Sequence, residues 1–194
     1  MPSQKERSET TRAALCAAFR KSLLVRGLEA TTTAGVLAET GLSKGALYHH
    51  FSGKLEIVEA VYRDESRAAV LRAAASVSSK LSPIARLKQA CLAWLDQLDQ
   101  PDVARIVLEL GPEALGMRRV REIEDALTLR LFRASLQEAV ACGEIAPLDA
   151  GLAAALINGA IAEIAALPKR QRTVAAATVG PVIDAIVQAL GEQA

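Results

Sequence analysis

The chain has 194 residues, 51% of them hydrophobic but only 3% aromatic, with a formal net charge of +1. That length suits a small domain joined to a larger one, and the near-neutral balance excludes a polybasic coat for nucleic acid or membrane. The charge is uneven all the same: residues 1–63 carry +3 and the remainder −2, which fits local contact with phosphates at the N-terminal end.

Ala, Leu and Val supply the hydrophobic content, and no run alternates with period two, so the fold class is all-α. The N-terminus, MPSQKERSET, is charged and lacks the apolar core of a signal peptide. No segment has transmembrane length. Cys16, Cys91 and Cys142 are odd in number and far apart, and read as buried thiols in a reducing compartment. A cytoplasmic protein with no membrane partner is expected.

Residues 1–4 read as a loose tail. The first helix covers about Lys5–Arg26, with Leu15, Phe19 and Leu23 at i, i+4 and i+8 as its buried stripe. Gly27 stops it, and Leu28 folds back in a Schellman end. Thr31, Thr32 and Thr33 offer N-cap hydroxyls ahead of Val36, Leu37 and Ala38. Gly41 ends that second helix at positive φ, and Leu42 packs inward from the turn. Ser43 caps a third helix, about Lys44–His50, whose inner positions Leu47 and Phe51 lie four apart. Its other face carries Lys44, Gly45, Ala46, Tyr48 and His49. Two helices joined by a glycine-containing turn form a helix-turn-helix. The outer face of the second suits a DNA major groove, ~12 Å wide. The first helix is the lid that buries Val36, Leu47 and Phe51.

After the turn at Ser52-Gly53, a long helix runs from Lys54 to about Ser79. A lysine at a helix N-terminus opposes the macrodipole, which is better explained if it meets a phosphate. Ser82-Pro83 breaks the chain before Ile84–Leu98, where Leu87, Cys91, Trp94 and Leu98 share a stripe. A short helix, about Asp102–Leu110, leads into a connection at Gly111-Pro112 and Gly116. A long helix, about Val120–Cys142, is capped by Gly143, and Asp149 caps the next. The last two helices, about Ala150–Leu167 and Gln171–Leu190, are nearly free of polar residues, with a kink expected at Gly180-Pro181. Gly151, Ala155 and Gly159 form a small-residue ridge. Such faces need cover, and a second copy of the chain is the expected one, giving a homodimer.

The run G-L-S-K-G-A-L-Y-H-H-F followed by S-G-K-L-E-I-V-E-A-V, at Gly41–Val61, resembles the DNA-binding signature of the TetR (tetracycline-repressor-like) family of bacterial transcriptional regulators. The match covers roughly residues 10–62; beyond them only the helical layout is similar. Leu37 and Thr40 stand where the family usually has small alanines, so the two motif helices must shift their crossing to accommodate Leu37. The resemblance implies a three-helix helix-turn-helix domain at 1–53. A larger helical ligand-binding and dimerisation domain follows at 54–194, with the 54–79 helix connecting the two and about nine helices in all.

Carried over residue by residue, the resemblance makes Thr32 and Thr33 phosphate ligands. Ser43, Lys44, Gly45 and Ala46 become the groove-facing start of the recognition helix, with Lys44 the candidate for a guanine. Tyr48 and His49 become backbone contacts, and Lys54 closes the grip. It also implies a small-molecule effector among the later helices. Candidate lining residues are Trp94, Leu98, Leu108, Met117, Phe132 and Asn158; Glu109 and Glu163 could greet a cationic or hydroxylated ligand or equally sit at a rim. The implied function is a transcriptional repressor, dimeric on a near-palindromic operator and released by ligand. The rival is a helical protein-interaction module with a vestigial DNA-binding head. GxSxG, HExxH, CxxC, P-loop and GxGxxG patterns are missing, so no enzyme and no cofactor is expected. Adjacent His49 and His50 point about 100° apart on a helix and do not make a metal site.

Overall fold

In the computed structural model, which describes residues 3–192, helix follows helix and no strand occurs among the described residues. Ten α-helices are separated by short turns: α1 Gln4–Ala30, α2 Thr33–Thr40, α3 Lys44–His50, α4 Lys54–Ser76, α5 Pro83–Gln97, α6 Pro101–Ala104, α7 Gly111–Ala141, α8 Ala150–Ala166, α9 Lys169–Ala176 and α10 Val179–Gly191. A π-helical stretch, Arg105–Leu110, joins α6 to α7. Of the tail expected at 1–4, Met1 and Pro2 lie outside the described residues. Ser3 is ordered by a capping box: its hydroxyl accepts from Glu6 N at 3.2 Å, and its own N donates to Glu6 Oε2 at 2.6 Å.

The described residues form two compact units that do not follow the sequence order: residues 3–66 with 102–120, and residues 67–101 with 121–192. In the first unit, α1 buries Leu15, Phe19 and Leu23 against α2 and α3, which contribute Val36 and Leu47, with Phe51 just beyond. Each such side chain gains about 1.5–3 kcal/mol from leaving water, and a seven-residue α3 has no way to hide Leu47 by itself. Residues 102–120 join this unit through specific contacts. Arg20 on α1 donates to Glu65 at 2.6 Å and to Asp102 at 3.2 Å, and Arg119 pairs with Glu59 at 2.6 Å. Tyr62, fully buried, lies against Gly111 so closely that a Cβ there would sit 2.2 Å from the ring.

The second unit packs α8 on α10, α10 on α5 and α9 on α8. Its best-defined polar element is Arg172 of α9, only 5% exposed, which donates to the carbonyls of Leu98, Ala165 and Leu167 and to Asp99. These carbonyls lie at or just past the C-terminal ends of α5 and α8, where backbone acceptors have no intrahelical donor. Glu144 performs the complementary task at the start of α5, accepting from Ile84 N at 3.1 Å and from the Ser82 hydroxyl. Gly143, at φ 75°, closes α7 in a Schellman arrangement, with Glu144 N bonded to Ala139 O and Gly143 N to Val140 O.

Several expectations are corrected. Gly27 (φ 78°, ψ −179°) breaks the first helix as expected, but its extended ψ is not that of a Schellman end; a further helical turn runs to Ala30, and the Thr31 hydroxyl donates to Gly27 O. Gly111-Pro112 is not a connection. The helix continues through it because the π-stretch lets Gly111 N bond Ile106 O, and the break falls at Gly116 (φ 74°). The final helix bends by 53° between α9 and α10, not at Gly180-Pro181. Pro181 sits in the first turn of α10, where its missing N–H would have had no partner. Cys142 is exposed, whereas Cys16 and Cys91 are buried. Burial raises the Cys91 thiol to about 12. Among the described residues, no single helix is long and apolar enough to cross a membrane.

Candidate nucleic-acid interface

The site is built from the turn outward. Thr32 is the N-cap of α2, its hydroxyl accepting from Gly35 N at 3.1 Å, and Thr33 is the first helical residue. Of the three threonines, Thr31 turns inward instead: it is fully buried and its hydroxyl lies 3.1 Å from that of Ser22. Gly41 (φ 68°, ψ 6°) ends α2, where a side chain would be strained, and its N donates to Leu37 O. Thr40 donates its hydroxyl to Val36 O at 2.9 Å, and Leu37 is half-buried.

Ser43 then caps α3, accepting from Ala46 N at 3.0 Å. The helix has one inner residue, fully buried Leu47, and ends at Phe51, 3% exposed. Everything else faces out: Ser43, Lys44, Gly45 and His49 are exposed, Ala46 is half-buried, and Tyr48 keeps half its surface. Lys44 Nζ lies 5.8 Å from the Tyr48 ring centre, so the two extend from α3 together. His50 is half-buried beside Phe51, and its pKa is lowered, first by partial burial and then by the charges of His49 and Arg12.

Lys54 opens α4 half-buried, and its Nζ donates to Leu28 O at 2.5 Å. An ammonium has three donors, so this bond fixes the side chain while leaving capacity for an anion. The turn before it is locked by Glu56, which accepts from both the N and the hydroxyl of Ser52. Those bonds hold the Glu56 carboxyl below its ordinary pKa. Two helix N-caps, a lysine–tyrosine pair and a histidine are thus exposed around a core in which Val36, Leu47 and Phe51 are out of water.

Two matches fix the family. Residues 7–61 match the family described as "Bacterial regulatory proteins, tetR family", and residues 84–190 match "Tetracyclin repressor-like, C-terminal domain". The chain belongs to the TetR family. Among curated relatives, it is 30% identical over 96 residues to the probable HTH-type transcriptional regulator ArpR of Pseudomonas putida, covering 48% of this chain and 45% of that one. It is 29% identical over 101 residues to the HTH-type transcriptional repressor KstR2 of Mycobacterium tuberculosis, covering 52% and 50%. The chain thus spans about half the length of the curated relatives it matches. A TetR-family transcriptional regulator from Pectobacterium atrosepticum superposes with a TM-score of 0.75 at 25% identity, covering 97% of both chains. RolR, solved in complex with resorcinol, shares the fold at a TM-score of 0.67 and 15% identity, over 97% of this chain and 91% of that one.

The candidate effector residues of this TetR-family chain are not gathered in one unit. Leu108 and Met117 belong to the first, and Trp94, Leu98, Phe132 and Asn158 to the second. Leu98, 1% exposed, and Phe132, 9% exposed, are core; Trp94 and Leu108 are half-buried, and Met117 is 54% exposed beside the Gly116 break. Asn158 joins α8 to α7, accepting from the Thr128 hydroxyl and donating to Asp125, each at 2.7 Å. None of the six lines the open cleft of about 580 Å³ in the second unit, which is bounded by Arg133, Gln137, Leu148 and Asp149. Glu109 and Glu163 are exposed and paired with Arg105 and Arg121. Sequence reasoning missed Arg12, whose guanidinium lies over the Phe51 ring at 5.4 Å. It falls outside the buried stripe of α1, and no spacing rule links residue 12 to residue 51.

Proposed function

We propose that this chain is a transcriptional repressor that binds a near-palindromic operator as a homodimer and is released by a small molecule. The observation that carries the DNA reading is the division of α3. Leu47 and Phe51 are buried, while Lys44, Tyr48 and His49 face outward from a serine-capped helix start. In this reading α3 enters the major groove, Lys44 reaches a base edge, and Gly45 and Ala46 permit close approach. Thr32, Thr33, Tyr48, His49 and Lys54 hold phosphates, the threonines through hydroxyl and N-terminal N–H groups of α2.

The dimer reading is supported by α8. It buries Ala153, Ala154, Ile157, Ile161 and Ile164 on one face and leaves Leu152 and Leu156 about half exposed on the other. The Gly151–Ala155–Gly159 ridge borders them, and a Cβ on Gly159 would meet nothing. A second copy covering this face alongside α10 would place two α3 helices about one duplex turn apart, ~34–36 Å or somewhat more. Repression accords with the name of KstR2, which is a repressor. For the effector, half-buried Trp94 and Asn158 are the two of the six candidates that combine some exposed surface with a polar group. Such a molecule acts only through its different affinities for the two conformations.

The test is a gel shift with a duplex selected in vitro from a random pool by the unmodified protein. Lys44→Ala with Tyr48→Ala abolishes the shift while light scattering still reports a dimer. The affinity of the unmodified protein falls steeply with salt, because bound phosphates release counterions. Unchanged affinity in the double variant, or a salt-independent complex, overturns the assignment.

A further inference from the structure

Arg12 lies outside the helix-turn-helix and outside every role described above. Arg20, Arg26, Arg63, Arg105 and Arg119 of the same unit each meet a carboxylate. Arg12 forms no salt bridge among the described residues; its contact is the Phe51 ring, 5.4 Å from the guanidinium. That ring is almost fully buried and belongs to the residue that closes α3, whose N donates to Leu47 O at 2.9 Å. The charge of Arg12 reaches His50, whose own ring stands 5.0 Å from that of His49. Three basic side chains therefore converge at the C-terminal end of α3. Glu56 lies within the field of Arg12, but its hydrogen bonds come from Ser52 and not from the guanidinium.

The Arg12 guanidinium bonds no carboxylate among the described residues, so its N–H groups keep donor capacity for an anion. The length of α3 says where one would come from. Seven residues span about 10 Å, close to the ~12 Å width of the major groove. With the Lys44 end directed at one side of the groove, the far end stands against the phosphates of the opposite wall. A guanidinium held on an aromatic face is fixed in orientation yet keeps its N–H edge for a phosphate. We propose that Arg12 is a phosphate ligand of the recognition surface, pre-oriented by Phe51, so that the first helix supplies a direct DNA contact besides burying α3. This rests on the DNA-binding reading above.

The experiment measures binding of the selected duplex by fluorescence anisotropy across a salt series. Arg12→Met keeps apolar cover on the Phe51 ring and removes the charge; Arg12→Lys keeps the charge. Arg12→Met weakens binding and flattens the plot of log K against log salt by about 0.9 per protomer. Its thermal midpoint stays unchanged, and Arg12→Lys retains the slope. If Arg12→Met leaves affinity unchanged, or weakens it at an unchanged slope, the proposal fails. Lys44→Ala separates the two levels. If it weakens binding while Arg12→Met does not, only the role of Arg12 falls; if the unmodified chain binds no duplex, the DNA reading falls and this inference with it.

Discussion

Replacing Arg172 tests how the second unit is held together. Arg172 is 5% exposed and bonds the carbonyls of Ala165, Leu167 and Leu98 at 3.3 Å, with Asp99 at 3.2 Å. Arg172→Met preserves much of the apolar stem and removes every one of these bonds. Asp99 is 40% exposed and recovers water, so little is lost there. The carbonyls are different. Leu98 and Ala165 are buried, at 1% and 4% exposure, and no solvent replaces the guanidinium. A buried acceptor left unpaired costs about 1–3 kcal/mol, more when its partner was charged. With a third carbonyl half accessible, the expected loss is about 3–5 kcal/mol, comparable to removing one member of a buried ionic network. In a chain of this size each kcal/mol moves Tm by about 2–4 °C, so the midpoint falls by about 6–20 °C. Circular dichroism at 222 nm, at matched protein concentration, measures it. Arg172→Lys recovers only part, because a single ammonium cannot span acceptors on two helices and a loop. A drop of less than about 3 °C in Arg172→Met would refute the claim that this side chain satisfies the ends of α5 and α8.

Gly111→Ala drives a methyl to within 2.2 Å of the Tyr62 ring and 2.9 Å of Ile106 O. Overpacking of this kind costs about 1–3 kcal/mol, and in a denaturant-melt double-mutant cycle Tyr62→Ala cancels part of it; full additivity would contradict the contact. The Glu59 carboxyl has its pKa lowered, mainly by the hydrogen bond from Arg119 and then by that from Arg63. A lowered folded pKa means stability that is present above the ordinary value, near 4.5, and lost as pH falls through the folded one. Glu59→Gln therefore loses less stability than the unmodified chain between pH 5 and 3, by about a few tenths to 1 kcal/mol for a half-exposed pair. Parallel acid titrations of the two would count against it.

Much of the helix-turn-helix head is legible in the sequence, and the reason is locality. Ser43, Gly41, Leu47 and Phe51 act through caps, a positive φ and an i, i+4 stripe, all set within one turn of helix. α3 accordingly begins at Lys44 and ends at His50, as the spacing predicts. Asp149 and Gly143 mark helix ends for the same reason. The candidate effector residues were legible only by residue type, mostly apolar or aromatic side chains in helices. Whether Leu98 is core and Met117 open depends on what packs against each, and residue type does not encode that.

The amino-acid sequence by itself determined the all-helical class, the TetR-like head and the outward face of α3, because each follows from short-range periodicity and capping. Tertiary structure alone decided that residues 102–120 pack with the first 66, that a π-stretch carries the chain through Gly111-Pro112, and that Arg172 closes two helix ends. It also decided that Arg12 lies over Phe51. These contacts join residues from 39 to 82 positions apart, or depend on a neighbour that does. A one-dimensional pattern records the chemistry of each partner but not their meeting, which is settled when several helices compete to leave water together.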